Sequence, residues 1–221
     1  MFRISKAAQV SGGALVLAAA LVMGGCASTA GTSSGTATGK ADTAAAGLRA
    51  GLDELLREHV VLALAATDAA LAGNNDEFTA AAGALDANSH ELANAVGSVY
   101  GDNAGKAFYD LWAKHIGFVV NYTVALSKKD QAGEDKAVQD LIGYTQDFGA
   151  FIESATGGRL KKDAVADLVK THVVGLKGAI DAQAAKNYAD AFSKERDAEK
   201  HMDTIGNALA DAITDQFPDK F

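Results

Sequence analysis

LDELLREHVVLALAA at residues 52–66 recurs in altered form as FYDLWAKHIGFVVNY at 108–122 and as VADLVKTHVVGLKGA at 165–179. Each copy has a histidine at its eighth place, and these histidines, His59, His115 and His172, follow one another at intervals of 56 and 57 residues. Apolar residues stand four and seven places before each histidine, which is the spacing of one helix face. A repeat of this length indicates one supersecondary unit used three times.

Each repeat predicts a hairpin of two antiparallel helices. The apolar spacing is three and four along residues 46–221, with no run of strand-like alternation. Glycine tolerates the left-handed backbone that ends a helix, and Asn or Asp accepts hydrogen bonds from the first amides of the next helix. These residues mark turns inside the repeats at Gly73-Asn74-Asn75, Lys129-Asp130-Gln131 and Ala185-Lys186-Asn187, and breaks between them at Gly101-Asp102-Asn103 and Thr156-Gly157-Gly158-Arg159.

The predicted fold is therefore an all-α, up-down bundle of six helices, built from repeats at about 48–101, 102–157 and 160–221. The third repeat has about one extra helical turn in its second half.

The N-terminus predicts an exported lipoprotein. Arg3 and Lys6 precede an apolar segment that ends in Met23-Gly24-Gly25-Cys26, so residues 1–25 have the pattern of a cleaved signal peptide. Cys26 is the only cysteine of the chain and has no disulfide partner within it, which suits an acylated first residue of the mature protein. Acyl chains contribute about 0.8 kcal/mol per buried methylene, so they would anchor the protein on the extracytoplasmic side of the cell membrane.

The mature chain is acidic. Loss of Arg3 and Lys6 changes the formal net charge from −8 to −10, which disfavours nucleic acid as a partner. Residues 26–45 are mostly Ser, Thr, Ala and Gly, and this composition predicts a flexible tether before the bundle at 46–221.

All three repeat histidines fall on the predicted inner stripes of their helices. In the first repeat the stripe is Leu52, Leu55, His59 and Leu62, so the histidine takes a position that bundles normally fill with Leu. A residue equally far beyond the hairpin turn reaches the same height on the partner helix. This construction places a second set of side chains near the histidine level: Asn88, Ser89 or His90, Tyr144 or Thr145, and Glu199 to Met202.

A buried imidazole without a partner costs a few kcal/mol, so the layer needs an explanation. In a structural interpretation, Ser, Thr, Asn, Glu or buried water satisfies each histidine. In a functional interpretation, His59, His115 and His172 converge on zinc, copper or iron, with Met202 and Glu199 as additional ligands. A third interpretation has two histidines meeting a haem or another small ligand. His90 and His201 are expected to be exposed helix residues, although His201 neighbours the layer.

The chain resembles a group of exported bacterial helical proteins often labelled copper-amine-oxidase-like. The resemblance lies in Leu56-Arg57-Glu58-His59, in Trp112 through Thr123, and in the end Gln216-Phe217-Pro218-Asp219-Lys220-Phe221, and it extends over most of residues 50–221. It implies copper among the metals but no oxidase chemistry, because Thr123 stands after Asn121-Tyr122 where the quinone-forming motif has an acidic residue.

Motifs of the common hydrolases, phosphate-binding loops and di-iron bundles are absent from the sequence. The expected function is binding of copper or zinc through core histidines, for sequestration, delivery or sensing. The alternative is a non-catalytic structural or interaction lipoprotein whose buried histidines form a hydrogen-bonded layer. A metal-dependent oxidoreductase is a third expectation, ranked below both.

Overall fold

The computed structural model describes residues 43–221, which form six α-helices with no strand among them. The predicted signal peptide, the predicted lipidation at Cys26 and nearly all of the predicted tether lie outside these residues. The helices are α1 (Ala44–Ala72), α2 (Asn75–Tyr100), α3 (Asp102–Lys128), α4 (Gln131–Ala155), α5 (Lys162–Ala184) and α6 (Tyr188–Gln216). The predicted all-α, up-down bundle is confirmed, and each of the five marked turns and breaks lies between two consecutive helices.

The three hairpin turns share one local design. Gly73, Lys129 and Lys186 have φ of 73°, 56° and 57°, which is the left-handed conformation that ends a helix. The next residue in each turn is the N-cap of the following helix. Its side chain accepts a hydrogen bond from a backbone N–H three residues on, and these N-caps are Asn74, Asp130 and Asn187.

The odd-numbered helices lie inside the bundle. Each helix packs against the next, and α6 returns against α1, so the six helices form a closed ring. α1, α3 and α5 also contact one another, whereas the even-numbered helices lie outside them. The three repeat histidines are therefore on the three inner helices.

The buried face of each inner helix includes the predicted positions seven places before and seven places after the histidine, but it also includes a position that the prediction left out. Leu56, Trp112 and Val169, three places before the histidines, are buried, with exposed fractions of 2%, 6% and 6%. The leucines four places before the histidines, which the apolar spacing predicts to be part of the stripe, are only half-buried. The prediction was wrong for the leucines four places before the histidines. An inner helix contacts neighbours on several sides, so its most buried residues are those at the helix crossings.

Small residues bring α2 and α3 into close contact. A Cβ on Gly105 would lie 2.7 Å from the backbone oxygen of Ala93 and 3.1 Å from Cα of Gly97. Gly105 therefore sets how closely these two helices approach.

Within residues 43–221 none of the helices combines the length and the apolar character that crossing a lipid bilayer requires.

Candidate functional site

The three repeat histidines meet at one level of the bundle. His59, His115 and His172 have exposed fractions of 1%, 3% and 4%. The ring centroid of His59 lies 5.3 Å from that of His115 and 5.9 Å from that of His172. The tertiary structure thus brings together side chains from three hairpins that no local motif connects.

Most imidazole nitrogens in this layer have no hydrogen-bond partner. The Nε2 atoms of His59 and His115 are 3.4 Å apart, so one ring donates to the other in a suitable pair of tautomers. The Nδ1 atoms of both rings, and both nitrogens of His172, are buried without a partner. Four of the six ring nitrogens are therefore buried polar atoms without a well-formed hydrogen bond, although the backbone of Trp112 lies near enough to the His115 ring to affect its pKa.

Burial keeps these imidazoles neutral. It lowers the pKa of His115 to about 3 and that of His172 to about 4, and it holds the pKa of His59 well below the usual 6.5. The neighbouring imidazoles and His201 lower these pKa values further, whereas the backbone carbonyl of Trp112 partly opposes the effect at His115. Neutral imidazole is the form that binds a transition metal.

Aromatic side chains enclose two of the histidines. The Trp112 ring lies 4.9 Å from that of His59 and 4.5 Å from that of His115, and Tyr144 stacks on His115 at 4.9 Å. The indole N–H of Trp112 and the hydroxyl of Tyr144 are also buried without partners. Desolvation raises the pKa of Tyr144 well above 10, so its hydroxyl keeps its proton at neutral pH.

The polar side chains expected at this height are present, but they bond elsewhere. Asn88 donates to the Leu55 carbonyl at 3.0 Å and to the Glu58 carboxylate at 2.8 Å. Ser89 and Thr145, both fully buried, donate to backbone carbonyls of their own helices. Asn88 therefore lies against α1 close to the level of His59, but none of these three side chains forms a hydrogen bond to a histidine.

The two residues predicted as additional ligands differ in position. Met202 has an exposed fraction of 1% and lines a cavity together with His115 and His172. Glu199 is half-buried and does not line either cavity next to the histidines.

The remaining two histidines behave differently from each other. His90 is exposed, as expected, and its Nδ1 lies 2.9 Å from the Asp86 carbonyl. The expectation of an exposed His201 was wrong. This ring is half-buried, with Nε2 2.8 Å from the Leu168 carbonyl of α5, because that face of α6 packs against α5.

Across the described part of the chain, no three His, Cys, Asp or Glu side chains are arranged as a ready-made metal ligand group. His59 and His115 are paired, while the ring of His172 stands beside them with both nitrogens unpartnered.

Two cavities lie on opposite sides of the histidine layer, and His115 contributes to the walls of both. One, of about 60 Å³, extends from His115, Tyr144 and His172 towards the end of the bundle that contains Thr156. The other, of about 220 Å³, extends from His59 and His115 towards the hairpin turn at Asn75. The layer therefore has open space next to its imidazoles in both directions.

Comparisons of the chain with models of protein families, with curated protein sequences and with solved structures find no match to any of them.

Proposed function

We propose that this protein is a lipid-anchored, extracytoplasmic helical bundle that binds a transition metal, copper or zinc, through His59, His115 and His172. Sequestration, delivery or sensing of the metal would be its role. The observation that supports this proposal best is the 3.4 Å separation of the Nε2 atoms of His59 and His115.

That separation matches a shared ion. Two histidine nitrogens at about 2.0–2.1 Å from a tetrahedral zinc lie about 3.3–3.4 Å from each other. The same distance is long for a hydrogen bond between nitrogens, so the pair is better suited to two ligands than to a strong donor and acceptor. Since both rings are neutral, an ion would displace no proton from an imidazolium.

His172 is the third ligand of the proposal. Both of its nitrogens are free of hydrogen bonds, and it lines the 60 Å³ cavity, which gives its ring room to turn towards the pair. Met202 lines the same cavity and would add a soft sulfur ligand, which favours copper in its reduced state. Glu199 is the weaker fourth candidate because it is only half-buried and lines neither cavity next to the histidines. The resemblance to proteins labelled copper-amine-oxidase-like also favours copper.

The cellular setting is part of the same proposal. Lipidation at Cys26, after removal of residues 1–25, would hold the bundle at the outer face of the cell membrane, where it meets metal ions entering or leaving the cell.

A structural layer is the second candidate function. The stacking of Tyr144 on His115 and the contacts of Trp112 with two imidazoles would serve a packed, metal-free interior equally well. In that case the protein is a non-catalytic scaffold or interaction lipoprotein.

Metal stoichiometry separates these two functions. The purified protein is loaded separately with zinc and with reduced copper, dialysed, and analysed for bound metal. We expect about one equivalent, lost in His115→Leu and retained in His90→Ala, which changes an exposed histidine outside the layer. X-ray absorption of the bound metal should report imidazole ligands. Retention of no metal under any loading condition, in a protein whose circular dichroism shows a folded bundle, would overturn the proposal and favour the scaffold.

A further inference from the structure

The larger cavity is a feature that metal binding does not account for. It lies among α1, α2 and α3, with a volume of about 220 Å³. Exposed residues such as Asn75 and Val124 line one end, whereas the fully buried His59 and His115 line the other. A ligand could therefore enter from the surface and reach the imidazoles.

The first repeat creates this space by having small residues where the other repeats have larger ones. The cavity is lined by Ala63, Ala66 and Ala70, which stand four, seven and eleven places after His59. The residues at the same places after His115 and His172 are Val119, Tyr122 and Leu126, and Leu176, Ala179 and Gln183. Two of the three alanine positions thus have a larger side chain in both other repeats.

The walls are apolar, apart from the imidazoles, the exposed Asn75 at the open end and two threonines that have partners. The Thr67 hydroxyl donates to Gln183 at 2.8 Å and also lies 3.1 Å from the Leu64 carbonyl, and Thr123 donates to the Val119 carbonyl. None of the side chains in this lining, all within residues 43–221, is Asp, Glu, Lys or Arg. His59, by contrast, is completely buried and has an unpartnered Nδ1.

Size and polarity together define a ligand class. An apolar cavity of about 150 Å³ in a protein interior takes up benzene, so about 220 Å³ accommodates a substituted single ring. A carboxylate would enter this space without a cation to pair with it, which is costly. A hydroxyl could bond to the unsatisfied imidazole at the deep end of the cavity.

We propose that the cavity among α1, α2 and α3 is a binding site for a neutral single-ring aromatic molecule with one hydroxyl group, held by apolar walls and a hydrogen bond to His59. The site does not require the metal of the proposed function, so each proposal can fail without the other.

The test measures binding of 4-methylphenol to the metal-free protein by isothermal titration calorimetry, with a chelator present. We expect saturable binding at one site, about tenfold weaker binding of toluene, which lacks the hydroxyl, and no binding of benzoate. Ala63→Leu, which introduces the residue that the third repeat has at this place, should fill the cavity and abolish binding. The matched control is Ala65→Leu, which makes the same change at an exposed position of α1 and should leave binding unchanged.

Three outcomes would overturn the proposal. They are absence of saturable 4-methylphenol binding, unchanged binding in an Ala63→Leu protein that melts as cooperatively as the parent, and equal binding of benzoate. Equal affinity for toluene would remove the hydroxyl from the proposal and with it the role of His59. A second blocking variant, Ala70→Leu, reproduces the residue of the second repeat and serves if Ala63→Leu does not fold.

Discussion

His59 and His115 belong to different hairpins and stand 56 residues apart in the chain, yet their Nε2 atoms are 3.4 Å from each other in the buried centre of the bundle. The repeat explains this meeting, because equivalent residues of equivalent hairpins reach the same height on helices that pack side by side. The chemical consequence is a pair of neutral nitrogen donors next to a third unpartnered imidazole.

Acid should destabilise the bundle before most carboxylates titrate. The folded-state pKa values of His115 and His172 are about 3 and about 4, below the unfolded value near 6.5. At pH values between the folded-state and unfolded-state pKa, the unfolded chain therefore binds more protons than the folded protein. Above about pH 6.5 these histidines therefore do not lower the free energy of unfolding. It falls by up to about 1.4 kcal/mol per pH unit for each such histidine as the pH drops towards the folded-state value.

Urea unfolding of the metal-free protein at pH 7.5, 6.0 and 5.0 measures this slope. His115→Leu should reduce this pH dependence by the contribution of one histidine, whereas His90→Ala should leave the pH dependence unchanged. An identical slope in His115→Leu would contradict the prediction.

Replacing His172 should have opposite effects without and with metal. In the metal-free protein, His172→Leu removes two unsatisfied buried nitrogens at nearly constant volume, and we expect the free energy of unfolding to rise by about 1–3 kcal/mol. With metal at saturation the parent should be the more stable protein, because the variant has lost a ligand.

Chemical denaturation with and without added metal provides the comparison. His201→Leu is the contrasting variant, since it loses a hydrogen bond to the Leu168 carbonyl and should be destabilised by about 1 kcal/mol. Destabilisation of metal-free His172→Leu would show that this imidazole has a partner in solution.

The difference in burial between two neighbouring leucines of α1 can be tested by replacing each with alanine. Leu56 has an exposed fraction of 2%, whereas Leu55 is half-buried. Leu56→Ala should lower the free energy of unfolding by about 2–5 kcal/mol, since it leaves a cavity among inner helices, and Leu55→Ala should cost clearly less. Thermal and urea unfolding of the two variants measure these losses. Equal losses of free energy of unfolding would contradict the difference in burial.

Two glycines of α3 should respond oppositely to alanine. In Gly105→Ala the new methyl would meet backbone atoms of α2, so α2 and α3 must separate, at a cost of about 1–3 kcal/mol. Gly117 is exposed with nothing near its missing Cβ, so Gly117→Ala should stabilise the helix by up to about 1 kcal/mol. Melting temperatures should move in opposite directions, and a stabilised Gly105→Ala would refute the close contact.

Much of the site could be predicted because it depends on repetition. The shared height of His115 and Tyr144 follows from counting residues on either side of a hairpin turn, and the two rings do stack. The position of His201 could not be counted in this way, because its burial depends on how closely α5 and α6 pack. Nor does any pattern within one repeat reveal the cavity beside His59, which depends on α2 and α3 as much as on the alanines of α1.

Local chemistry explains what the sequence determined by itself: six helices, their turns at Gly73-Asn74 and its two equivalents, and an inward histidine on each first helix. Caps, turns and apolar periodicity act over a few residues and are readable without the rest of the molecule. The tertiary structure alone decided that Leu56 rather than Leu55 faces the centre, that two imidazoles touch while the third stands beside them, and that open space remains on both sides. These outcomes depend on the crossings of helices from different hairpins, where the position of each side chain is set by neighbours far away in the chain.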